Sequence, residues 1–536
     1  MHWSLIALAG LGVVVVLLAI YDVTQRRHAI LRNFPVIGHF RYWLEAIGPE
    51  LRQYIVTSNN EERPFSRDQR TWVYASSKKQ NNYFGFGSDN EMESAPGYII
   101  IKHSAMPLGE PEIGEIGGGE LHPAPCAKVM GGARGRAKAF RPESVVYVSA
   151  MSYGSLSAQA IEALNKGCKI AGALHNTGEG GVSDHHKHGG ELIWQLGTGY
   201  FGARDEQGNF CLDRLEESVS NANVRAIEIK LSQGAKPGLG GVLPAAKITP
   251  EIARIRGIPM GVDCISPPHH RAFSDVDSML DFVEMIAERT GLPVGIKSAV
   301  GEEAFWIELC GRMGDGQRGV DFITIDGGEG GTGAAPLTFS DHVSLPFKVG
   351  FARVHGIFAE RGVSDRVVWC GSGKLGFPEN ALLAMALGCD MIGVAREAML
   401  SIGCIQAQRC QSGHCPAGVA TQNRWLVRGL DPTLKSARLA NYIITLRKEL
   451  VRLARACGVV HPGLVTLDRI ELIQDSHTSR RATEIFNYQP GWGLPSEKDT
   501  RQIVQMRIGG EVYEPVRGGG SGGAGAPGAV REDEAA

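Results

Sequence analysis

Short β-rich runs alternate with helical stretches from about residue 145 onward, and this alternation most limits the folds open to the chain. The predicted strands are 145–150, 172–176, 226–231, 261–265, 293–298, 321–326, 367–372 and 391–395. Helices with clear starts separate several of them, such as AQAIEALNKGCKIAG after Ser157. Eight strand–helix repeats predict an α/β fold, a parallel (β/α)8 TIM barrel. The alternative, an open doubly wound sheet, would carry GxGxxG after its first strand, where this chain reads SAMSYGSLS.

Polar residues gather where the predicted strands end. They are Ser152, Asn176, Lys230, Lys297 and Asp326. The loops after barrel strands converge on one face, and that face carries the chemistry of such barrels. One lysine ending an apolar strand could simply extend its ammonium group into solvent. Two of them, in EIKLS and GIKSA, favour a functional site.

Glycine clusters follow the last two predicted strands, in CGSGKLG and GVAREAM. Phosphates in barrels of this type often lie there, on backbone N–H groups at a helix start. Gly371, Gly373 and Gly393 are predicted to let the backbone approach a phosphate, and Lys374 or Arg396 to neutralise its charge. The alternative for any one of these glycines is a turn that opens a helix.

Three cysteines, Cys404, Cys410 and Cys415, lie close together, and Pro416 follows the last of them. A closed zinc site uses four ligands, commonly in short pairs, which this run does not match. Compact runs of cysteine are typical of iron–sulfur clusters. The alternative is ordinary buried cysteine, but polar residues surround the run, so it is predicted to hold a redox centre.

The N-terminal residues 5–20 are uncharged and apolar, and Trp3 and Tyr21 flank them. The stretch from Trp3 to Tyr21 would make a helix of about 28 Å, close to a ~30 Å hydrocarbon core. Arg26, Arg27 and Arg32 follow it, which predicts a single-pass anchor in the inner cell membrane with the remainder of the chain cytoplasmic. A cleaved signal peptide is the alternative, but a basic start and a clear cleavage site are missing.

Composition excludes some partners and points to a compartment. The net charge of −2 gives no indication of nucleic acid as a partner. Eleven cysteines are scattered without a small-domain disulfide framework, which favours a reducing compartment. Residues 518–529 read GGGSGGAGAPGA and are predicted to be part of a flexible tail.

The string HHKHGG, residues 185–190, has a composition that suggests a metal site. Its three histidines are too close together to serve as three ligands on one regular element, and no carboxylate partner is evident from the sequence. A polar loop is therefore the favoured interpretation. His269 and His270, in PPHH, carry the same ambiguity.

Seven strings together resemble the flavin-containing synthase domain of glutamate synthase. In chain order they are SAMSYGSLSAQA, HNTGEGG, KLSQGAKPGLGG, ISPPHH, GGEGGTGAAP, GSGKLG and GCIQAQRCQSGHCPAGVATQ. The resemblance implies a barrel that binds FMN beside a 3Fe-4S cluster held by the three cysteines. It also implies reductive amination of 2-oxoglutarate, through 2-iminoglutarate, to L-glutamate.

The resemblance also implies roles for individual residues. Substrate contacts fall on Lys236 and Arg256, and the loop of Glu179 faces the ammonia route in the family. Lys230 is predicted to stabilise the anionic reduced flavin. The cofactor contacts are expected at Met151, Ser152, Asn176, Lys230, Lys297, Asp326, Gly371, Gly373, Lys374 and Gly393.

The domain boundaries follow from these assignments. We expect an anchor at 1–24, a helical or linker region at 25–94, and the FMN-binding synthase barrel with its cysteine loop at 95–425. A helical extension is expected at 426–517 and a disordered tail at 518–536.

The chain departs from the family pattern in one informative place. Glutamate synthases read QGAKPGEGGQLP, whereas this chain reads QGAKPGLGGVLP, with Leu239 and Val242. A valine cannot donate a hydrogen bond to a substrate carboxylate. Two other functions therefore stay open: a synthase that uses another amine, as the N-methylglutamate-forming enzymes do, and a membrane-bound flavin and iron–sulfur electron-transfer module.

Two partners of the family's larger enzymes are not expected within this chain. A glutaminase domain is expected to be missing, so ammonia or an amine would come from outside. A pyridine-nucleotide fingerprint is also missing, which predicts an external electron donor such as a ferredoxin or a reductase subunit.

Overall fold

The structure is a computed structural model that describes residues 2–25, 28–56, 61–82, 85–88 and 90–506. The predicted tail, 518–536, lies outside the described residues. The chain divides into two compact units, Met1–Trp72 and Val73–Ala536.

The strands in chain order are β1 Ile99–Ile101, β2 Val146–Val148, β3 His175–Asn176, β4 Leu192–Leu196, β5 Val224–Lys230, β6 Val242–Leu243, β7 Cys264–Ile265, β8 Val294–Ser298, β9 Phe322–Asp326, β10 Val368–Ser372, β11 Met391–Val394, β12 Ile470–Asp475 and β13 Thr478–Arg481. The α-helices are α1 His2–Thr24, α2 Ala29–Asn33, α3 Gly38–Leu51, α4 Arg67–Ser77, α5 Ala158–Ala171, α6 Leu212–Ser220, α7 Pro250–Arg256, α8 Val276–Thr290, α9 Ala304–Arg312, α10 Leu337–His342, α11 Phe347–Glu360, α12 Pro378–Ala386, α13 Arg396–Ser401, α14 Arg424–Val427, α15 Pro432–Ala456, α16 Ala482–Ile485 and α17 Glu497–Gln505.

Eight of the strands close into a parallel barrel, which confirms the predicted fold class. The order around it is β2, β3, β4, β5, β8, β9, β10 and β11, and β11 returns to pair with β2. Most strands read as short β-branched and aromatic runs that are buried on both faces, as parallel strands covered by helices are. Because all eight run the same way, their carboxyl ends share one rim, where the loops meet.

The membership of the barrel differs from the sequence prediction at one strand. The predicted strand 261–265 lies outside the barrel: its last two residues form β7, which pairs antiparallel with β6. The missing barrel strand is β4, LIWQL, in which all five residues are buried. The sequence prediction missed this strand because it contains a polar residue, the buried Gln195. The residues around Cys264 were mistaken for a barrel strand with one buried face.

Gln195 is tolerated because the barrel interior contains a polar cluster centred on Glu228 of β5, which is 0% exposed. Asn176 Nδ2 and Gln195 Nε2 donate to Glu228 Oε1 at 2.8 and 2.7 Å, and Thr324 Oγ1 donates to Oε2 at 2.6 Å. A buried carboxylate needs such donors, since an unmet acceptor there would cost several kcal/mol. The cluster links strands β3, β4, β5 and β9.

We expect Glu228→Gln to destabilise the protein by about 1–3 kcal/mol, because an amide keeps one acceptor oxygen but turns an N–H₂ group toward at least one of the three donors. The midpoint of urea-induced unfolding measures the change. Glu308→Gln on α9 is the control, because the Glu308 side chain is 50% exposed at the surface. An unchanged midpoint for Glu228→Gln would mean that the cluster contributes nothing to stability.

The segment after the barrel combines helices with a small sheet. The long helix α15 begins at the Asp431 cap, followed by Pro432, and packs along α5. Its buried Arg447 donates to the carbonyls of Ala171 and Leu121, both at 2.7 Å. Strands β12 and β13 form an antiparallel sheet with β1, so the extension is tied to residues that precede the barrel.

The first unit contains one helix that is long and apolar enough to cross a membrane. Within α1, Trp3–Thr24 has a mean hydropathy of 2.7 in its most apolar window, and none of that window is buried. In the last turn of α1, the buried Asp22 carboxylate accepts from Val36 N–H at 2.8 Å and contacts His39 Nε2 at 2.9 Å. Helix α3 exposes further large apolar side chains, including Phe40 and Trp43. Such exposure is unusual for a water-soluble surface.

Candidate active site

The predicted site residues lie at the carboxyl-terminal rim of the barrel, on several different strands and loops. Met151 and Ser152 follow β2, Asn176 ends β3, and Lys230 ends β5. Further around the rim, Lys297 lies in β8 and Asp326 ends β9. Met151, Ser152, Asn176, Lys297 and Asp326 are all buried, and Lys230 is half-buried.

Lys230 makes a buried ion pair with Glu179, which lies on the β3–β4 loop. Lys230 Nζ donates to Glu179 Oε1 at 2.7 Å and to Gln233 Oε1 at 2.5 Å. Burial acts to raise the pKa of the Glu179 carboxyl, but the Lys230 ammonium, with the more distant Lys236, holds that pKa below its ordinary value. Glu179 is therefore an anion at neutral pH.

Lys236 and Arg256 bring two further cations to the same pocket. Lys236 Nζ donates to the Gly240 carbonyl at 2.6 Å, and the residue is only 2% exposed. Burial, followed by the nearby Lys230 charge, lowers the pKa of the Lys236 ammonium. The lowered pKa means that nearby negative charge does not fully offset the cost of burying this cation. An added anion would therefore stabilise it.

Arg256 is the last residue of α7, which starts at the Thr249 cap and Pro250. Its guanidinium donates to the Tyr153 carbonyl at 3.0 Å and lies 5.1 Å from the centroid of the Phe201 ring. The Nε atom is buried without a hydrogen-bond partner, and burial lowers the pKa of the group. A guanidinium held on one side and unsatisfied at Nε is suited to a carboxylate ligand.

Asp326 connects two of the predicted site loops. Its Oδ2 accepts from the Gly234 N–H at 2.9 Å and lies 3.5 Å from Lys297 Nζ. Ser232 and Ser298 make a parallel link, with 3.0 Å between their hydroxyl oxygens. These contacts hold the loop of Lys236 against the end of β8.

The predicted phosphate glycines have different surroundings. A Cβ at Gly371 would meet Cys389 Sγ and the Phe347 ring at 2.8 Å, and one at Gly393 would meet the Tyr147 ring at 2.9 Å. Packing alone therefore accounts for glycine at both positions.

Gly373 lies instead in a notch after β10, with a φ of 142° that favours glycine. A Cβ there would lie 3.2 Å from Glu329 Oε2, which accepts from the Phe347 N–H at 2.8 Å. The next residue, Lys374, has a φ of 54°. Arg396, at the start of α13, donates to the Glu329 carbonyl, and burial lowers the pKa of its guanidinium. Glycine backbone, a lysine and an arginine suit a phosphate group.

The three cysteines lie on the loop that follows α13. Cys404 accepts from Gln406 N–H through Sγ at 3.4 Å, and its carbonyl accepts from Tyr74 Oη at 2.8 Å. Burial, and then the proximity of Cys415, raise the pKa of the Cys410 thiol. The three sulfur atoms do not form a group with ligand atoms within 4.8 Å of one another among the described residues. Three thiols on one loop are the donor type that iron–sulfur clusters use.

Lys247 contacts the cysteine loop, and the sequence analysis did not single it out. Its ammonium donates to the Cys410 carbonyl at 2.5 Å and to the Ala420 carbonyl at 3.1 Å. Burial lowers the pKa of Lys247, and the Cys410 and Cys415 thiols act to raise it. A lysine before a short helix carries no signal in the sequence, because only the fold shows that it reaches the cysteines.

His270 fixes the backbone of Lys230. Its Nε2–H donates to the Lys230 carbonyl at 2.9 Å, and its Nδ1 lies 3.1 Å from Tyr200 Oη. Burial lowers the pKa of His270 to about 4, so the ring is neutral at physiological pH. His270 is a structural support of this pocket.

Comparison with known proteins places the chain in one family. Residues 129–460 match the model of the conserved region in glutamate synthase. A glutamate synthase large subunit-like protein, YerD of Bacillus subtilis, is 38% identical over 473 residues, covering 83% of this chain and 89% of that protein. An archaeal glutamate synthase (NADPH) of Methanocaldococcus jannaschii is 36% identical over 321 residues, which are 59% of each chain. An archaeal-type glutamate synthase (NADPH) of Thermotoga maritima is 35% identical, with 59% of this chain and 60% of that protein covered.

Two solved structures match the chain at low sequence identity. A flavocytochrome b2 variant with pyruvate bound has a TM-score of 0.41 at 12% identity, covering 89% of this chain and 99% of that one. A mandelate oxidase has a TM-score of 0.38 at 15% identity, covering 70% of this chain and 87% of that one. These values carry no functional argument, and the barrel assignment depends on the strand order of this chain itself.

Proposed function

Because the chain belongs to the glutamate synthase family, we propose that it is an oxidoreductase that reductively aminates 2-oxoglutarate to L-glutamate. One observation supports this proposal most strongly. Three cations, Lys230, Lys236 and Arg256, lie close enough to the Glu179 carboxylate to lower its pKa. The excess positive charge is suited to a dicarboxylate substrate.

We assign the two ends of the substrate to different cations. Arg256, with its buried Nε, would bind one carboxylate, and Lys236 would bind the other or the 2-oxo group. Both groups are almost fully buried, so their charge would act in a medium of low polarity. Ammonia and the oxo acid form 2-iminoglutarate with loss of water. A site that excludes water therefore favours the imine.

FMN is the proposed cofactor, and the residues at the rim fit it. Gly373, Lys374 and Arg396 would hold its phosphate, since glycine backbone and two cations suit a phosphate group. Met151, Ser152, Asn176, Lys297 and Asp326 line the mouth of the barrel and would surround the ring system. When bound and reduced, FMN supplies a hydride to the imine carbon. Lys230 would place a positive charge beside the ring once its pair with Glu179 opens.

A 3Fe-4S cluster is the proposed second cofactor. Cys404, Cys410 and Cys415 would be its ligands, and the donor set of three thiols suits iron. Lys247 places a buried cation beside two of these thiols, which would offset part of the negative charge of a thiolate-bound cluster. The cluster would supply electrons one at a time. We propose that they come from an external donor, a ferredoxin or a reductase subunit.

A different amine substrate is the second candidate, favoured by the surroundings of Val242. Val242 is 39% exposed on β6 and pairs with Ile265 of β7. Ile265 and Thr198 line an adjacent cavity of about 530 Å³ with a mainly apolar wall. Such a cavity has room for an alkyl group on the amine.

Steady-state assays with an amine panel separate these candidates. With a dithionite-reduced or photoreduced donor, 2-oxoglutarate and ammonium should yield L-glutamate under the proposed function. If methylamine is used far more efficiently than ammonium, giving the N-methyl product, the second candidate is correct. If a 2-oxo acid with a single carboxylate is a better substrate than 2-oxoglutarate, the assignment of a dicarboxylate is wrong.

We also propose that α1 anchors the protein in the inner membrane, with the barrel in the cytoplasm. Its length and hydropathy support this, as does the apolar surface of α3, which would suit the membrane interface. The full-length chain is expected to sediment with membranes and to need detergent for release, since about 20 apolar residues insert stably. Membrane fractionation followed by washes in high salt and alkaline carbonate checks this. Release by either wash would contradict a spanning helix.

A further inference from the structure

The loop between β3 and β4 brings two histidines to a glutamate on the neighbouring helix α5. One ligand atom each from Glu162, His185 and His188 lies within 4.8 Å of the other two. All three side chains are partly exposed, so an ion can reach them from solvent. This group lies outside the cationic pocket and the cysteine loop.

The folded loop explains how closely spaced histidines can bind together. His186 turns inward, is 0% exposed, and its Nδ1 lies 2.9 Å from Ser183 Oγ. This leaves His185 and His188 on the outer side of the loop. His185 lies in the short 3-10 turn Asp184–His186, and His188 lies just after it. Glu162 on α5 supplies the carboxylate partner that was not evident from the sequence. Helix α5 precedes β3 in the chain, and the histidine loop follows β3.

The charged neighbours of this group are compatible with a metal ion. Lys166 Nζ donates to Glu162 Oε1 at 2.5 Å, whereas Glu162 Oε2 faces His188 Nε2 at 3.9 Å. The lysine therefore occupies one oxygen, and the other faces the histidine. A ligating carboxylate is commonly hydrogen-bonded in this way.

A second carboxylate lies close to His185. Its Nε2 lies 3.3 Å from Glu251 Oε1, and the other oxygen of Glu251 accepts from Tyr153 Oη at 2.6 Å. Metal-bound histidines usually contact a carboxylate through the second ring nitrogen, which fixes the ring and its tautomer. Tyr153 also provides the carbonyl that binds Arg256, so the group connects to the substrate pocket.

We propose that Glu162, His185 and His188 bind one divalent transition-metal ion of the Zn²⁺ class. Two imidazoles and one carboxylate are a donor set that suits zinc, with remaining positions open to water, whereas Ca²⁺ and Mg²⁺ prefer oxygen ligands. Zinc–ligand bonds are about 2.0–2.2 Å long, so the three donors need only close around the ion by small side-chain rotations. The ion joins the β3–β4 loop to α5, and this loop also carries Glu179.

Zinc binding to the purified protein with both cofactors bound tests the proposal. After incubation with Zn²⁺ and desalting, the wild type is expected to retain about one zinc per chain. His185→Gln and His188→Gln are expected to bind zinc at least about ten-fold more weakly, because each loses a ligand. His477→Gln is the matched control, since His477 is exposed in the turn between β12 and β13. Retained iron and flavin in each variant show that it has folded.

The cysteine loop is the competing zinc site, and two measurements exclude or identify it. Zinc X-ray absorption is expected to show nitrogen and oxygen neighbours only, and Cys410→Ser is expected to keep its zinc. Sulfur neighbours, loss of zinc in Cys410→Ser, or full zinc retention in both histidine variants would overturn the proposal. Failure of the wild type to retain zinc would overturn it as well. None of these results depends on turnover, so they leave the proposed function untouched.

Discussion

Replacing Arg256 by alanine is expected to raise the half-saturating concentration of 2-oxoglutarate by about 30-fold to several thousand-fold. Removing one partner from a buried charge pair costs about 2–5 kcal/mol of binding, and each 1.4 kcal/mol is a factor of ten. The effect is large because the guanidinium is 5% exposed and its Nε is unsatisfied without a ligand. Steady-state kinetics at saturating ammonium measure it.

The same helix provides a matched control. Arg254 lies two residues earlier on α7 and is exposed, so Arg254→Ala should leave the half-saturating concentration within about two-fold of the wild type. Arg256→Lys should fall between wild type and alanine, since an ammonium keeps the charge but cannot bind a carboxylate in the bidentate way. Equal kinetics for Arg254→Ala and Arg256→Ala would remove Arg256 from the substrate site.

Replacing Cys410 by serine is expected to abolish the iron content and the broad cluster absorbance while leaving the flavin bound. One of three proposed ligands is lost, and the remaining two cannot hold the cluster against hydrolysis. The flavin should remain because its proposed phosphate contacts, Gly373 after β10 and Arg396 at the start of α13, lie outside the cysteine loop itself. Iron analysis and absorbance of anaerobically purified protein measure both cofactors.

Cys211→Ser is the control for this experiment. Cys211 is a half-buried free cysteine at the start of α6, away from the cysteine loop, so its replacement should keep the full iron content. Full iron in all three variants at Cys404, Cys410 and Cys415 would contradict the cluster assignment. Loss of flavin together with iron in Cys410→Ser would mean that the two proposed sites are not independent.

The barrel was predictable because its signal is repetitive and local. Strand–helix alternation needs only the periodicity of apolar residues, and seven of the eight barrel strands were recognised from it. Strand β4 was missed because Gln195 is polar, and its burial is explained only by Glu228 on the neighbouring strand. A pattern read along one strand contains no information about a hydrogen bond made across two.

The candidate site was predictable to the extent that its residues end strands. Lys230 and Asp326 fall at strand ends, so the topology brings them to one rim. Lys236 and Arg256 were assigned by resemblance to the family, and the structure brings them into the same charged pocket as Lys230. Lys247 and Glu162 do not end strands, so the sequence pattern did not mark them as site residues. Their partners lie far away along the chain, and only tertiary packing brings them together.

Single-turnover reoxidation of the reduced flavin tests the central claim most directly. The anaerobically reduced protein, mixed with 2-oxoglutarate and isotopically labelled ammonium, is predicted to return to the oxidised flavin spectrum. It should form about one labelled L-glutamate per flavin, because one hydride reduces one imine. Neither substrate alone should reoxidise the flavin. If the flavin stays reduced with every pair of 2-oxo acid and amine, yet is reoxidised by a quinone or an acceptor protein, the chain is an electron-transfer module and the proposed synthase function is wrong.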